Sequence, residues 1–393
     1  MNYGGSEFKC PACGEDTILL LDWKYSGLND SVFNYNAYFR ECTYCGLVYN
    51  SSIADAKLVL FYNNECSYFE KNHFDVLAPE NIQKYNCYAN ILLNAGLSGT
   101  SITDVGCGRG GFLLWLKKNS WNANCRGIDI DLKSIPNFNN ISGEQDTYSG
   151  IAFQEGRAID LPFPNGSQSL LTYFHVLEHI VDLNLVLNEA HRVLRETGYV
   201  LIEVPDAEKY IEFPIGTAFW FSIREHVFHF SPSAICCALN QNGFEVISVD
   251  RNVLPTPEFS YPSLIVLAKK CRVENPVKYN ERHIASFAIQ SKNELKAQAR
   301  KVLDWSSNFS QLTFWGCSAE FFSLMPILNI HHFAICDSSK NKQKCSFMGI
   351  SIKDPATVLK YGALIVVPYL FSVDIFNEAI ERGWAKEAIL CLK

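Results

Sequence analysis

The stretch "ITDVGCGRGGFLLWLKK", residues 102–118, constrains this chain more than any other. It begins as a short apolar strand, passes through glycines at 106, 108, 110 and 111, and continues as an amphipathic helix. Strand, tight turn and helix in that order open a βαβ unit, whose turn presents backbone N–H groups to a ligand. The same alternation continues. "CRGIDID", "SLLTYFHV" and "YVLIEVP" read as strands, and "VLNEAHRVLRETG" reads as a helix closed by Gly198. A parallel sheet wrapped by helices is the expected core of residues 75–260.

Two further regions flank it. Residues 1–74 carry two cysteine pairs and many aromatics, with little helical periodicity, and end in a connecting helix. After the proline-bearing stretch "VLPTPEFSYP" (253–262), a strand end or linker, residues 261–393 begin with a long amphipathic helix over 281–305. That region then restarts a strand–helix alternation in "QLTFWGCSAEFFSLM", "HFAICDSS", "ALIVVPYL" and "AILCLK". The expectation is an α/β protein with a small N-terminal module, a central Rossmann-like domain and a second Rossmann-like domain at the C-terminus.

Composition narrows the partners. The formal charge is −7 and basic runs are short, which disfavours nucleic acid, since phosphate contacts need a basic stripe. The longest apolar run, "GALIVVPYLF", is shorter than the ~20 residues of a membrane span. No secretory leader is visible in "MNYGGSEFKC", and fifteen cysteines scattered through a long chain fit a reducing compartment, so the cytoplasm is the expected address.

Cys10 and Cys13 in "CPACG" and Cys42 and Cys45 in "CTYCG" are doubled CxxCG turns. Each turn aims backbone N–H groups at sulfur, and together they supply four thiolates for a closed, structural metal site. An inserted hairpin would absorb the long spacing between the pairs. Zinc is the expected ion, although iron would accept the same ligands. The remaining cysteines, Cys107 and the Cys236–Cys237 pair among them, read as small buried hydrophobes.

The glycines fit two nucleotides. Gly106, Gly108 and Gly111 match the GxGxxG spacing of a dinucleotide site, and Gly106, Gly108 and Gly110 match the GxGxG spacing of an S-adenosylmethionine (SAM) site. Asp104 decides between them: its carboxylate suits a cationic amino group and would repel a pyrophosphate on the helix N-terminus. Asp129, ending the next strand, suits ribose hydroxyls in either case. The segment "EGRAIDLPFPNGSQSLLTYFHVLEHI" (155–180) then resembles the class I SAM-dependent methyltransferases, and the match runs over 102–205. The resemblance implies that Asp104, Gly106 and Gly108 shape the methionine side, Asp129 holds the ribose, and Ala158 faces the adenine. His175 would close the pocket near the sulfonium. Arg157 stands where the family often has an aspartate. Glu178 and His179 read equally well as helix-start chemistry.

For proton removal, "FWFSIREHVFHFSP" (219–232) offers Glu225 and His226 in an aromatic setting, with His229 as a lesser candidate. The order of cysteine pairs, SAM domain, "EHxxxF" segment, long helix and C-terminal α/β domain is similar to the sugar C-methyltransferases. That likeness implies a nucleotide-linked keto-deoxysugar as acceptor, Glu225 and His226 as the base pair, and Tyr68 as an upstream catalytic tyrosine. Ile223 departs from it, standing where the family carries a tyrosine. In the C-terminal domain Gly316 would start a nucleotide turn and Asp337 would meet a ribose; a structural or dimerising domain, and hence a homo-oligomer, is the other reading. A methyltransferase acting on RNA and a SAM-holding scaffold without turnover are the rival functions.

Overall fold

The computed structural model describes residues 8–64, 75–132, 148–213, 215–255, 259–271 and 284–392. Its N-terminal part is a hairpin, β1 (Thr17–Lys24) against β2 (Asn36–Cys42), extended by β3 (Val48–Asn50). The hairpin is the insertion that separates the two cysteine pairs. A helix, α1 (Asp55–Asn64), leads away from it. The sheet's fourth strand comes from far along the chain: Phe228 and His229 pair antiparallel with Tyr49 and Val48.

The central sheet begins after α2 (Pro79–Asn94). Its elements are β4 (Ile102–Val105), α3 (Gly111–Lys118), β5 (Cys125–Asp129), β6 (Ile151–Glu155), β7 (Gln168–Phe174), α4 (Leu183–Val193) and β8 (Leu194–Pro205). Next come α5 (Thr217–Ser222), β9 (Phe228–His229), α6 (Pro232–Gln241), β10 (Phe244–Pro255) and β11 (Ser260–Lys270). The spatial order is β10-β11-β8-β7-β4-β5-β6, with β11 antiparallel to both its neighbours and the remaining pairs parallel. All four residues of β4 are buried, as befits a strand covered on both faces. Val253, Leu254 and Pro255 end β10 and pair with Pro262, Tyr261 and Ser260 at the start of β11, so the described ends of the stretch 253–262 are strand. One boundary differs from expectation. Helix α4, N-capped by Asp182, stops at Val193, because Leu194 turns extended and pairs with Gln168; Gly198 lies inside β8 and does not close the helix.

The third part opens with α7 (Ile284–Ser306), close to the expected helix. It continues as β12 (Leu312–Trp315), α8 (Ala319–Leu328), β13 (Ala334–Cys336), β14 (Ser346–Phe347), β15 (Ile350–Lys353), β16 (Ala363–Val366), α9 (Ser372–Glu381) and β17 (Ile389–Cys391). The order β14-β15-β13-β12-β16-β17 is a second doubly wound sheet, parallel except at β14. Among the described residues no helix is long and apolar enough to cross a membrane. One apolar cluster runs from Trp23 in the N-terminal sheet through Phe221 to Phe322 and Ile365, so the three parts share a core.

Candidate functional site

In the central sheet β4 and β7 are neighbours, but their crossovers pack on opposite faces. A crevice opens beyond the carboxyl ends of such a strand pair. A cavity of about 520 Å³ fills it. The glycine turn forms one wall. Gly106 has φ +74°, and a Cβ there would fall 2.4 Å from Val176 Cγ2, so only glycine fits without displacing that wall. The Gly108 N–H donates to Asp129 Oδ2 (2.8 Å) and the Asp131 N–H to Oδ1 (3.1 Å). These bonds aim Asp129 at the cavity, while burial raises its pKa against their pull. Ala158 sits with Ile130, Gly156 and Ile159 in an apolar slot beside it. Asp104 lies just behind the turn, 4% exposed, accepting from Thr172 Oγ1 at 2.6 Å; burial pushes its carboxyl up to about 7. Over the mouth, α1 contributes Leu58, Val59 and Tyr62. Its Asp55 pairs at 2.6 Å with Arg157, the residue that departs from the common pattern.

The next wall carries a network that sequence reading did not reveal. His175 follows β7 with φ +55°. Its Nδ1 lies 2.9 Å from Glu178 Oε1 and its Nε2 lies 2.7 Å from Tyr261 Oη. Tyr261 donates in turn to Glu203 Oε1 at 2.5 Å, and Ser263 donates to the same oxygen at 2.6 Å. The Tyr88 hydroxyl donates to the other oxygen of Glu203. Glu178 and Glu203 are fully buried, whereas His175 is half-buried at the cavity surface. Burial lowers the His175 pKa, but Glu203 and Glu178 outweigh it and the net shift is upward. Glu203 is in the strand "YVLIEVP" and Tyr261 is in the β10–β11 region. Neither belongs to a local motif, and the only available signal was an acid in an otherwise apolar strand.

The far wall holds His179 and His226, whose rings meet edge to face at 4.8 Å, together with Trp220 and Ile223. Burial drives the His226 pKa well below its usual value, and the neighbouring His179, His229 and His175 push the same way. Neither Glu225 nor the fully buried Glu178, whose Oε2 has no hydrogen-bond partner, lines the cavity. Glu178, His179 and His226 bring ligand atoms within 4.8 Å of one another. One Glu178 oxygen is already committed to His175, and the two imidazoles read as proton-handling groups. His229 is enclosed by Phe39, Tyr210 and Phe221, away from the cavity, and neither of its ring nitrogens is partnered. Tyr68 lies outside the described residues.

The four cysteines of the paired turns converge. Cys10–Cys45, Cys13–Cys42 and Cys13–Cys45 sulfurs stand 3.6, 3.4 and 3.7 Å apart. That is too far for a disulfide and close to the ~3.8 Å edge of a tetrahedron with ~2.3 Å metal–sulfur bonds. The N–H groups of Ala12, Tyr44 and Cys45 point at Cys10 and Cys42 sulfurs (3.3–3.4 Å), and Gly14 and Gly46 take positive φ. The donor set fits a structural zinc. Cys237 of α6 brings a fifth thiol near the cluster, and the neighbouring Cys13 raises its pKa.

The C-terminal sheet repeats the turn geometry. Gly316 (φ +104°) follows β12, and Asp337 accepts from the Cys317 and Ser339 N–H groups at 2.8 Å each, as Asp129 does in the central sheet. Its aromatics Phe314, Trp315, Phe321 and Phe322 are core residues.

The sheet order, glycine turn and cavity define a nucleotide-binding α/β domain of the class I kind. Residues 80–249 match the family described as a methyltransferase domain, just under half of the chain. This part is similar to SAM-dependent methyltransferases. Relatives include ajmaline N-methyltransferase of Rauvolfia serpentina, 28% identical over 30% of this chain and 40% of that protein. Fatty-acid O-methyltransferase of Mycolicibacterium smegmatis is 30% identical over 32% and 44%. The 27-O-demethylrifamycin SV methyltransferase of Amycolatopsis mediterranei is 27% identical over 34% and 52%. The chain thus spans about half the length, or less, of these curated relatives. Among solved structures, a SAM-dependent methyltransferase of Methanosarcina mazei is similar with TM-score 0.38 at 19% identity, covering 46% of this chain and 97% of that one. One from Mesorhizobium loti gives 0.37 at 18%, covering 47% and 98%.

Proposed function

We propose that the protein moves a methyl group from SAM to a small acceptor, with a nucleotide-linked keto-deoxysugar as the favoured substrate. The observation that carries this reading is the shape of one cavity with two unlike walls. The glycine turn with Asp129 and the Ala158 slot suits the donor, and the His179–His226 wall suits an acceptor that must lose a proton. Methyl transfer breaks the sulfonium S–C bond, and sulfur keeps the electron pair while the acceptor supplies its own. Alignment in a dry site provides most of the acceleration. His226, held neutral by burial, is available as the base. The relatives named as acting on ajmaline, a fatty acid and a rifamycin support a small-molecule acceptor. The Gly316–Asp337 turn supports a nucleotide on the acceptor, held by the C-terminal domain. Zinc at Cys10, Cys13, Cys42 and Cys45 would brace the N-terminal sheet.

Calorimetry with SAM and its demethylated product tests the donor, and absence of binding for both removes the reading. Mass spectrometry of a nucleotide-linked 4-keto-deoxysugar incubated with protein and SAM tests the acceptor. A product one methyl heavier is expected; methylation only of other small molecules removes the sugar. His226→Ala should lower turnover by about a hundredfold with SAM affinity retained.

A further inference from the structure

Helix α1 belongs to the N-terminal part of the chain, yet one of its faces lines the cavity of the central sheet. Asp55, Leu58, Val59 and Tyr62 recur at i, i+3, i+4 and i+7, so all four project from the same side of the helix, and all four reach the cavity. Opposite them runs the segment that leaves β6. The Gly156 N–H donates to the Asp129 carbonyl at 2.9 Å, which sets Arg157 and Ala158 just beyond the level of Asp129. The apolar slot around Ala158 therefore meets, at its rim, an ion pair made by two different parts of the chain: Arg157 Nη2 donates to Asp55 Oδ2 at 2.6 Å.

Both side chains of this pair are about half exposed, so the pair itself adds little to stability. Its hydrogen-bonding capacity is only partly used. Asp55 Oδ1 and Arg157 Nε and Nη1 make no other hydrogen bond among the described residues. A free acceptor and free donors thus stand side by side at the rim of a flat apolar slot. That is the complement of an adenine edge, where the 6-amino group donates and an adjacent ring nitrogen accepts. We infer that Asp55 and Arg157 together read the amino edge of the donor's adenine, so that α1 supplies the base-selecting carboxylate of a cavity built mainly by the central sheet. The inference rests on the cavity being the SAM site with the ring in the Ala158 slot. A base seated there withdraws water from the pair, and bonds to charged partners gain strength as water leaves. Hypoxanthine carries a carbonyl in place of the 6-amino group, so its oxygen would face the Asp55 carboxylate without a proton between them.

The test measures dissociation constants by calorimetry for S-adenosylhomocysteine and its deaminated analogue, S-inosylhomocysteine. The unmodified protein should prefer the adenine ligand by at least about tenfold. Asp55→Asn can turn either an oxygen or an NH2 group toward the base, and should cut that preference about tenfold; Asp55→Ala should do the same. A carboxylate that only holds α1 in place would weaken both ligands by one common factor. An unchanged ratio in the two variants therefore overturns the inference, as does an unmodified protein that binds both ligands equally. Should the unmodified protein bind neither ligand nor SAM, the SAM reading itself falls, an outcome separable from an unchanged ratio.

Discussion

Asp104 shows how one side chain can cost the folded protein something that a ligand returns. Buried behind the turn with Thr172 as a hydrogen-bond donor, its carboxyl is pushed up to about 7 from the ordinary value near 3.8. A carboxyl whose folded pKa is raised binds more protons folded than unfolded between those values, so stability falls as pH rises through that window. A ligand ammonium beside it would reverse the shift. Asp104→Asn keeps the acceptor for Thr172 and should be no less stable than the parent at pH 8, while SAM affinity drops about tenfold. Thermal unfolding and calorimetry on the same samples check both halves, and an unaltered affinity would deny Asp104 its part in holding the donor. His229 makes the opposite case. Its folded pKa is lowered to about 3 by burial, below the unfolded 6.5, so stability is lost as pH falls below about 6.5, by about 2 kcal/mol at pH 5. His175, with its raised pKa, opposes this over a higher range, losing its contribution as pH rises. His229→Phe fits among the surrounding rings, removes two unpartnered nitrogens and should flatten the acid side of the stability curve. Urea melts at pH 5 and 7 measure it; an unchanged difference between them would mean His229 is not the titrating group.

Among the elements, β9 connects two candidate sites that lie far apart in sequence. It is only Phe228 and His229, yet it closes the N-terminal sheet against β3 and begins two residues after His226. Whatever holds the cysteine turns together therefore also holds the His226 segment, because Val227 N–H donates to the Glu178 carbonyl and the Val227 carbonyl accepts from Asn50. Chelating the zinc proposed at Cys10, Cys13, Cys42 and Cys45 should thus lower kcat well before affinity for SAM, whose proposed site lies at the ends of β4 and β5. A titration with a strong chelator, followed by turnover and SAM binding, distinguishes this from a bystander site; equal loss of both would mean the whole chain unfolds. The element scale also marks what could be read in advance. β4, β5, β7 and β8 were legible because continuous apolar runs bounded by glycine or acid produce buried parallel strands. The hairpin β1–β2 was legible from the gap between two CxxC turns. β9 was not, since two residues carry no period and their pairing is chosen by a strand near residue 48. The end of α4 was misplaced because Gly198 signals a stop locally, whereas Leu194 had already joined the sheet. In the site, the glycine turn, Asp129 and His226 were visible as local patterns. The Glu203–Tyr261–His175 network was not, because it is assembled from three strand ends distant in sequence.

Across the whole molecule, the N-terminal sheet is wedged between the two α/β parts rather than tethered to one. Tyr25 donates to the Phe221 carbonyl, Ser26 N–H to that of Phe322, Trp23 Nε1 to Ser323 Oγ and Asn29 N–H to the Ser346 carbonyl. Arg224, three residues beyond Phe221, lies with its guanidinium 5.0 Å from the Phe33 ring and 4.4 Å from the Phe322 ring, and donates to the Ser26 carbonyl. This gives a structural reason for a large cation beside Ile223: it joins all three parts at one point, one side chain from the cavity wall. A flat guanidinium between two rings is a geometry that lysine cannot reproduce. Arg224→Ala should cost about 2 kcal/mol in a urea melt, Arg224→Lys should recover little of it, and both melts should keep a single transition because the apolar cluster is continuous. If the parent protein instead unfolds in two steps, with Arg224→Ala moving only one, the parts are independent domains that merely touch. The His179–His226 wall would then draw no support from the C-terminal sheet, whereas a shared transition means that a change in α7 or α8 reaches Trp220 and Ile223 through α5.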